Sequence, residues 1–442
     1  MVRLAMLLVG AKPFRRHWAV LPAIGLAWMA IGVWLIADAS DGVLLVTVDV
    51  LGLLLVVEGI ASLFGVLAMG SRAHSALTWR AVLLLAFGVM VLMPLPVDHG
   101  IPDRILFGMA FLADGLLRIA SAWVVRFARW HLAIAAGVVE VLLAWMVLGN
   151  WPIHHHYTVP MCLGIALLAS GWSLVRLGLQ LRQLKAGESI TSLPLFFARP
   201  WHTRNVPRRM ASHVPDYSPP EPMLLYVWTP AGSATDPQRR LLVDRYIAAV
   251  DSKGVISTGH SALELLPDVY ISHYPGVEID HSPDDFTRLL RAGAENDIVG
   301  RWIPSHATEV ADWCEPDQQV EFPHYDAEAL RAFWHIYRQD NTYNLTSRSC
   351  STVTSLAIES ALEGVLGQQR PWLRFFLLLT DPNLWLAAIL RRRGATMAWT
   401  PGLVLDYARL LRVIVQRQDQ RWFMRLGKAI SGYRRAAAAP SA

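Results

Sequence analysis

Apolar residues gather into six runs along the first part of the chain, at 19–37, 43–68, 81–95, 105–125, 132–148 and 158–175. Each is close to the roughly 20 residues a helix needs to cross the hydrocarbon core of a bilayer. The run at 81–95 is short and stops at Met93-Pro94-Leu95-Pro96, because proline lacks the amide donor and disfavours helix in the residue before it. This pattern predicts a bundle of six membrane helices. From 187 the runs give way to Pro, Ser and Arg, and from 223 to the shorter alternations of a water-facing α+β region.

Composition agrees. The 442 residues are 54% hydrophobic and 17% charged, which excludes disorder and argues against a single soluble globule. Charge sets the expected orientation, since Lys and Arg in short loops stay on the cytoplasmic side. Lys12, Arg15 and Arg16 precede the first run, Arg72 and Arg80 follow the second, Arg126 and Arg129 follow the fourth, and Arg176, Arg182 and Lys185 lie at the exit of the sixth. The opposite loops carry Asp38, Asp41, Asp98, Asp103, a single Arg104 and the neutral turn His154-His155-His156. Both termini are expected in the cytoplasm. Nothing near Met1 resembles a cleavable signal peptide, so the first run is expected to persist in the mature protein.

A spacing of 56 residues relates Glu58-Gly59, Asp114-Gly115 and Ser170-Gly171, and three helical hairpins of one pattern account for it most simply. Acidic residues within spans are costly and face a bundle interior or a wet cavity. Glu58, Asp114 and Glu140 suit either a proton or solute path or interhelical pairing; Asp114 and Arg118, four apart, share a helix face. Six short spans with small residues and acids in the second helix of each hairpin resemble the HdeD-like acid-resistance membrane proteins, over about 17–185. The resemblance implies a bacterial inner-membrane protein and little about activity.

The chain divides into a membrane domain at 1–186, a linker at 187–222, a candidate catalytic domain at 223–367 and a basic extension at 368–442. In the linker, Leu195-Phe196-Phe197 beside Arg199, Arg204, Arg208 and Arg209 suits a headgroup-level contact. Residues 224–367 hold 10 Lys and Arg against 21 Asp and Glu, whereas 368–442 hold 13 against 3. The extension combines Trp372, Phe375, Phe376 and the triplet Arg391-Arg392-Arg393 with a helical stretch through Leu403, Tyr407, Leu410, Leu411 and Ile414. It suits either contact with an anionic leaflet or a helical cap on the catalytic domain. No nucleic-acid recognition module accompanies it, and no nucleic-acid partner is expected.

Three cysteines, one of them (Cys162) inside the sixth run, form no disulfide framework. Cys350 follows Tyr343-Asn344-Leu345-Thr346-Ser347-Arg348-Ser349 and opens a helical pattern through Val353, Leu356, Ala357 and Ala361. A thiol there meets unpaired backbone amides that favour a thiolate; Arg348 either adds to this or is a solvated surface arginine. A base lies upstream in Gly259-His260-Ser261-Ala262-Leu263-Glu264-Leu265, which returns through Pro267-Asp268 as Val269-Tyr270-Ile271-Ser272-His273-Tyr274 and reads as a β-hairpin. With Leu266 opposite Val269, His260 and His273 share a face, and His273 is a candidate to orient the base. A register slip of one residue puts Ser272 or Tyr274 there instead.

The order of a histidine hairpin followed by a cysteine at a helix start resembles the circularly permuted NlpC-type papain-like enzymes, which include the lecithin:retinol acyltransferase-like proteins, over about 224–367. The resemblance implies Cys350 as nucleophile, His260 as base and His273 at the third polar position. His306, Cys314 and His324 stand eight and ten residues apart, spacings that suit no close pair of zinc ligands. His154-His155-His156 suits a metal or acid-sensing site as well as an incidental cluster. No phosphate-binding glycine loop is present, and neither metal nor cofactor is expected.

The expected architecture is therefore an α-helical six-span membrane bundle plus a cytoplasmic α+β papain-like permuted domain with a helical basic extension. The expected function is cysteine-dependent hydrolysis or acyl transfer on lipid or lipid-linked esters or amides at the cytoplasmic leaflet, with homo-oligomerisation through the bundle compatible with it. Two alternatives remain: a peptidase or isopeptidase acting on a protein partner, and a stress-linked channel or sensor bundle with a regulatory soluble domain.

Overall fold

The computed structural model describes residues 1–40, 101–126, 130–151, 155–185, 188–190, 193, 216–230, 249–250, 256–277, 291–396 and 398–416, with isolated positions at 56, 60, 82, 85, 86 and 89. The second and third apolar runs, Glu58, His154, most of the linker and the chain after 416 lie outside the described residues.

The helices are α1 (Val2–Val9), α2 (Ala11–Arg16), α3 (Val20–Ser40), α4 (Ile101–Val125), α5 (Trp130–Gly149) and α6 (His155–Gln183), then α7 (His306–Asp312), α8 (Ala327–Tyr337), α9 (Cys350–Leu362), α10 (Pro371–Leu379), α11 (Pro382–Thr396) and α12 (Pro401–Gln416). Four of them, α3 to α6, are long and apolar enough to cross a membrane, at Val20–Asp38, Phe107–Val125, Trp130–Gly149 and Met161–Gln183. Among the described residues α4 packs along the next helix, α5, while α6 packs along α3 and much less on α5, the partner that the three-hairpin pattern gave it. Glycines allow this. The carbonyls of Gly171 and Gly164 occupy the space that a Cβ on Gly25 or Gly32 would need, and Gly137 does the same for Gly115, the small-residue contact by which helices approach closely without water. Gly25 meets Gly171 and Gly32 meets Gly164, so α3 and α6 run antiparallel and Val20 lies at the same end of the pair as Gln183. Between α4 and α5, Arg118 bonds Asp114 at 2.8 Å and Glu140 at 2.8 Å, the interhelical pairing that the spacing allowed.

The remainder is an α+β region of small antiparallel sheets. Strands β1 (Met223–Trp228), β2 (Ala249–Val250), β3 (Ile256–Ser257), β4 (His260–Leu265), β5 (Val269–Ile271), β6 (His273–Pro275), β7 (Ile298–Trp302), β8 (Gln318–Phe322) and β9 (Thr342–Tyr343) form a four-stranded sheet in the order β5-β4-β1-β8, a three-stranded sheet β6-β7-β9 and the pair β2-β3. Alternation gives the larger sheet two different faces. One face carries Leu225, Val227, Leu263, Ile271 and Val320 into the main core, with α9 on β4 and α12 on β1 and β8. The other carries Tyr226, Trp228, Ala262 and Tyr270 into a smaller aromatic cluster.

The β4–β5 register differs from the one expected. Leu265, not Leu266, pairs with Val269. Two consecutive leucines leave the pattern undecided; the sheet buries Leu265 and turns Leu266 out to solvent. Asp268 in the connection is held by the Arg331 guanidinium of α8 at 2.8 and 3.0 Å.

Residues before the first span and after the last both return to this core. Leu4 to Val9 of α1 are buried within it, and the Gly364 and Leu366 amides donate to the Leu7 and Leu8 carbonyls at 2.9 and 2.8 Å. After α6, the Ile190 amide donates to Glu363 at 2.8 Å, and the Ser189 hydroxyl bonds the same carboxylate. The extension packs as a cap as far as it is described: Leu403, Val404, Tyr407, Ala408 and Leu411 of α12 are buried. Arg391 of α11 is bidentate to Glu359 of α9 at 2.7 and 2.8 Å, and Tyr407 donates to that carboxylate at 3.0 Å.

Candidate active site

Cys350 is the first residue of α9. Its helix starts there because the Ser349 side chain caps it, accepting from the Thr352 amide at 3.3 Å. The loop before it is pinned at both ends. Asn344 accepts from the Thr346 and Ser347 amides and donates to Asp297 at 2.9 Å. Arg348 is buried rather than solvated, donates to the Thr342 and Asp340 carbonyls at 3.0 and 2.7 Å, and lies over the Tyr337 ring. These bonds tie it to the loop.

Hydroxyls surround the sulfur. Ser351 Oγ lies 3.8 Å from Cys350 Sγ, and Ser261 on β4 is near enough to the sulfur to favour its thiolate. Ser261 in turn reaches Thr354 Oγ1 at 3.0 Å and Ser351 Oγ at 3.4 Å, stitching the strand to the first turn of α9. Only 6% of Cys350 is exposed. Burial pushes its thiol above the usual cysteine range, and Ser261 and Ser351 oppose this only in part. The helix start thus does not give the depressed thiol that its position suggested.

His260 is the chain neighbour of Ser261 and leaves β4 on the other face, across from Trp228 in register and stacked on Tyr274 at 4.1 Å. The backbone turns sharply just before it: Gly259 has φ of 69°, and a Cβ there would run into the Trp228 carbonyl. His260 Nε2 meets Ser272 Oγ at 2.9 Å and Glu309 Oε1 at 3.2 Å, while the Ser272 hydroxyl donates to Glu309 Oε1 at 3.1 Å. Tyr270 also bonds the Glu309 carboxylate, and Tyr274 lies near it. Burial holds His260 down to about 3, with His273 adding a smaller push in the same direction, so the ring is neutral near pH 7. With Nε2–H donating toward Ser272 and Glu309, Nδ1 is the nitrogen left to accept a proton.

His273 does not orient His260. The observed register puts Ser272 and Tyr274 on the His260 face, and His273 instead stacks on Trp302 at 3.9 Å with Nε2 3.4 Å from the Asn341 carbonyl. It stands on the α9 side, edge-on to Tyr343 at 5.0 Å. Burial lowers it to about 4. Among the described residues no hydrogen bond joins the His260 ring to the Cys350 thiol. The two are linked through Ser261, and through Tyr274, which stacks on the imidazole and lies within electrostatic range of the sulfur.

Glu309 is the residue that the sequence concealed. It sits in the first turn of α7, far along the chain from both hairpin strands, and only the packing of α7 over the aromatic face brings it to His260. Of the residues weighed as metal ligands, His306 stacks on Tyr226 at 4.1 Å and the Cys314 carbonyl accepts from the Trp228 indole at 2.9 Å; no cluster suited to a metal occurs among the described residues. No family model, curated protein or solved structure matches the chain.

Proposed function

We propose that the protein is a membrane-anchored hydrolase or acyltransferase that works through Cys350 and His260 on ester or amide bonds of lipid or lipid-linked substrates at the cytoplasmic leaflet. The observation that carries the reading is the hydrogen-bonded run from Glu309 and Ser272 to His260, whose chain neighbour Ser261 bonds Ser351 and Thr354 in the first turn of the helix that Cys350 opens. In the resting site thiol and imidazole are both neutral. Attack therefore requires the proton to leave sulfur for His260 Nδ1 as the C–S bond forms; since His260 leaves β4 on the face away from Ser261, the transfer needs a bridging water or a movement of the imidazole on substrate binding. The imidazolium then protonates the departing oxygen or nitrogen, leaving a thioester. Water or an acceptor hydroxyl gives a proton to His260 as it attacks the thioester, and His260 passes that proton to the departing sulfur. Amides at the start of α9 are the donors nearest to the developing oxyanion. Glu309, with Ser272, takes the orienting role, stabilising the imidazolium and fixing which nitrogen is free.

Anchoring supports a lipid substrate: the segments before α3 and after α6, at one end of that pair, both connect directly to the core that carries Cys350. Mass-spectrometric lipid profiles of bacterial membranes containing wild-type protein or Cys350→Ala at matched levels test this. A lipid change confined to the wild type is expected. Identical profiles from folded, expressed proteins overturn the lipid reading and leave a protein substrate or a function of the bundle itself.

A further inference from the structure

Helix α10 is apolar except for Arg374. Phe375 and Leu378 are buried against the core, yet Leu373 and Phe376, each 51% exposed, and Leu377 form an outer face without polar residues. A helix on a soluble surface ordinarily turns a polar face outward, and a contiguous exposed apolar patch marks a contact.

Its surroundings say which contact. Trp372 packs edge-on against Phe14 at 5.2 Å and against His17 at 6.0 Å, residues just ahead of Val20, where α3 begins. There Trp18 lies under the Arg182 guanidinium at 5.0 Å, an aromatic and a cation at the joint ends of α3 and α6, the pairing usual at headgroup depth. So α10 stands level with the place where the candidate spans leave the bilayer. It does not cross: nine residues reach only about 13 Å at 1.5 Å per residue, and α11, turned by 76° from it, is held in the core through Arg391 and Glu359.

We propose that the Leu373–Phe376–Leu377 face of α10 lies in the headgroup–acyl boundary of that leaflet and seats the α+β region on the bilayer. Arg374 flanks this face one position around the helix, Arg370 precedes the helix, and Lys12 and Arg16 rim the adjoining α2. That charge suits anionic headgroups, and it disfavours a second copy, whose identical face would oppose arginine to arginine. The inference rests on reading α3 and α6 as spans and is independent of the chemistry at Cys350.

The test uses the full chain with Cys162→Ala and Cys314→Ser, reconstituted in vesicles of phosphatidylethanolamine and phosphatidylglycerol. An environment-sensitive fluorophore is attached at Leu377→Cys, at Phe376→Cys as a second position, and at Glu328→Cys on α8 as a water-exposed control. Quenching by shallow doxyl-labelled lipid at least threefold stronger at 376 and 377 than at 328 is expected, with iodide quenching correspondingly weaker. Equal quenching at all three positions overturns the proposal. So does protection of 376 and 377 from both quenchers, which would mean that protein covers the face. Turnover plays no part in this readout, so failure here leaves the proposed chemistry standing, and the reverse.

Discussion

In the candidate spans, Arg118 is met by two carboxylates, Asp114 and Glu140, and all three groups keep contact with the surroundings of the helix pair. In the α+β region, His260 and Glu309 are almost wholly buried, and there the histidine loses its charge instead of gaining it. The same pressure, desolvation of an ionisable group, is answered by pairing in one place and by neutralisation in the other. Pairing holds helices together and ties up the charge. A buried, neutral imidazole with one nitrogen fixed by a carboxylate leaves the other nitrogen able to take a proton, which suits the proposed site in the α+β region better than one in the bundle.

Substitutions in both regions and one titration bear on that contrast. Cys350→Ala should abolish turnover, a loss of at least about 10³-fold for removal of a nucleophile, with the near-ultraviolet circular dichroism of the purified protein unchanged; Arg118→Leu should leave turnover within a few-fold of wild type. Glu309→Gln should lower turnover by about 10- to 10²-fold, by weakening the hold on the His260 tautomer. It should also cost about 1–3 kcal/mol of stability, because Ser272 and Tyr270 bond that carboxylate and Tyr274 lies near it. Steady-state rates beside denaturant midpoints separate the two effects.

Acid should act through the histidines. Their folded values, about 3 for His260 and about 4 for His273, lie below the ordinary value of 6.5. As pH falls below about 6.5 the unfolded chain therefore binds protons that the folded chain refuses. Stability should be level above that pH and fall toward pH 4, each histidine contributing up to about 1.4 kcal/mol per pH unit. Thermal unfolding from pH 8 to pH 4 checks the slope, which His260→Asn should make shallower. Arg118→Leu, stranding two carboxylates beside lipid, should destabilise the purified protein by about 1–3 kcal/mol, and replacing Asp114 and Glu140 by leucine as well should restore most of it. The smallest effect on turnover is expected from His273→Gln, since that ring bonds the Asn341 carbonyl and not His260; the rate per folded molecule should stay near wild type.

What was legible in the sequence follows from the length over which each signal repeats. Helices α3 to α6 declare themselves because an unbroken apolar run of nearly twenty residues suits a bilayer far better than a water-facing surface. Cys350 at a helix start was legible from Ser349 and the apolar spacing after it, both local. The β4–β5 hairpin was legible but not its register, because Leu265 and Leu266 are equally apolar and only burial distinguishes them. Glu309 was illegible: an acidic residue in a short helix carries no mark of the aromatic face it will cover. Nor does an eight-residue apolar helix such as α1 say that its partner is the core beside α9, at the far end of the chain from it.

The most direct measurement is a search for an acyl group on Cys350. Full-length protein, incubated in native bacterial lipid, is quenched in acid and its peptides are read by mass spectrometry with and without hydroxylamine. The account predicts a hydroxylamine-sensitive acyl adduct on the peptide containing Cys350, accumulating when His260→Ala slows its release. An unmodified Cys350 in protein that still turns over its lipid substrate would contradict it.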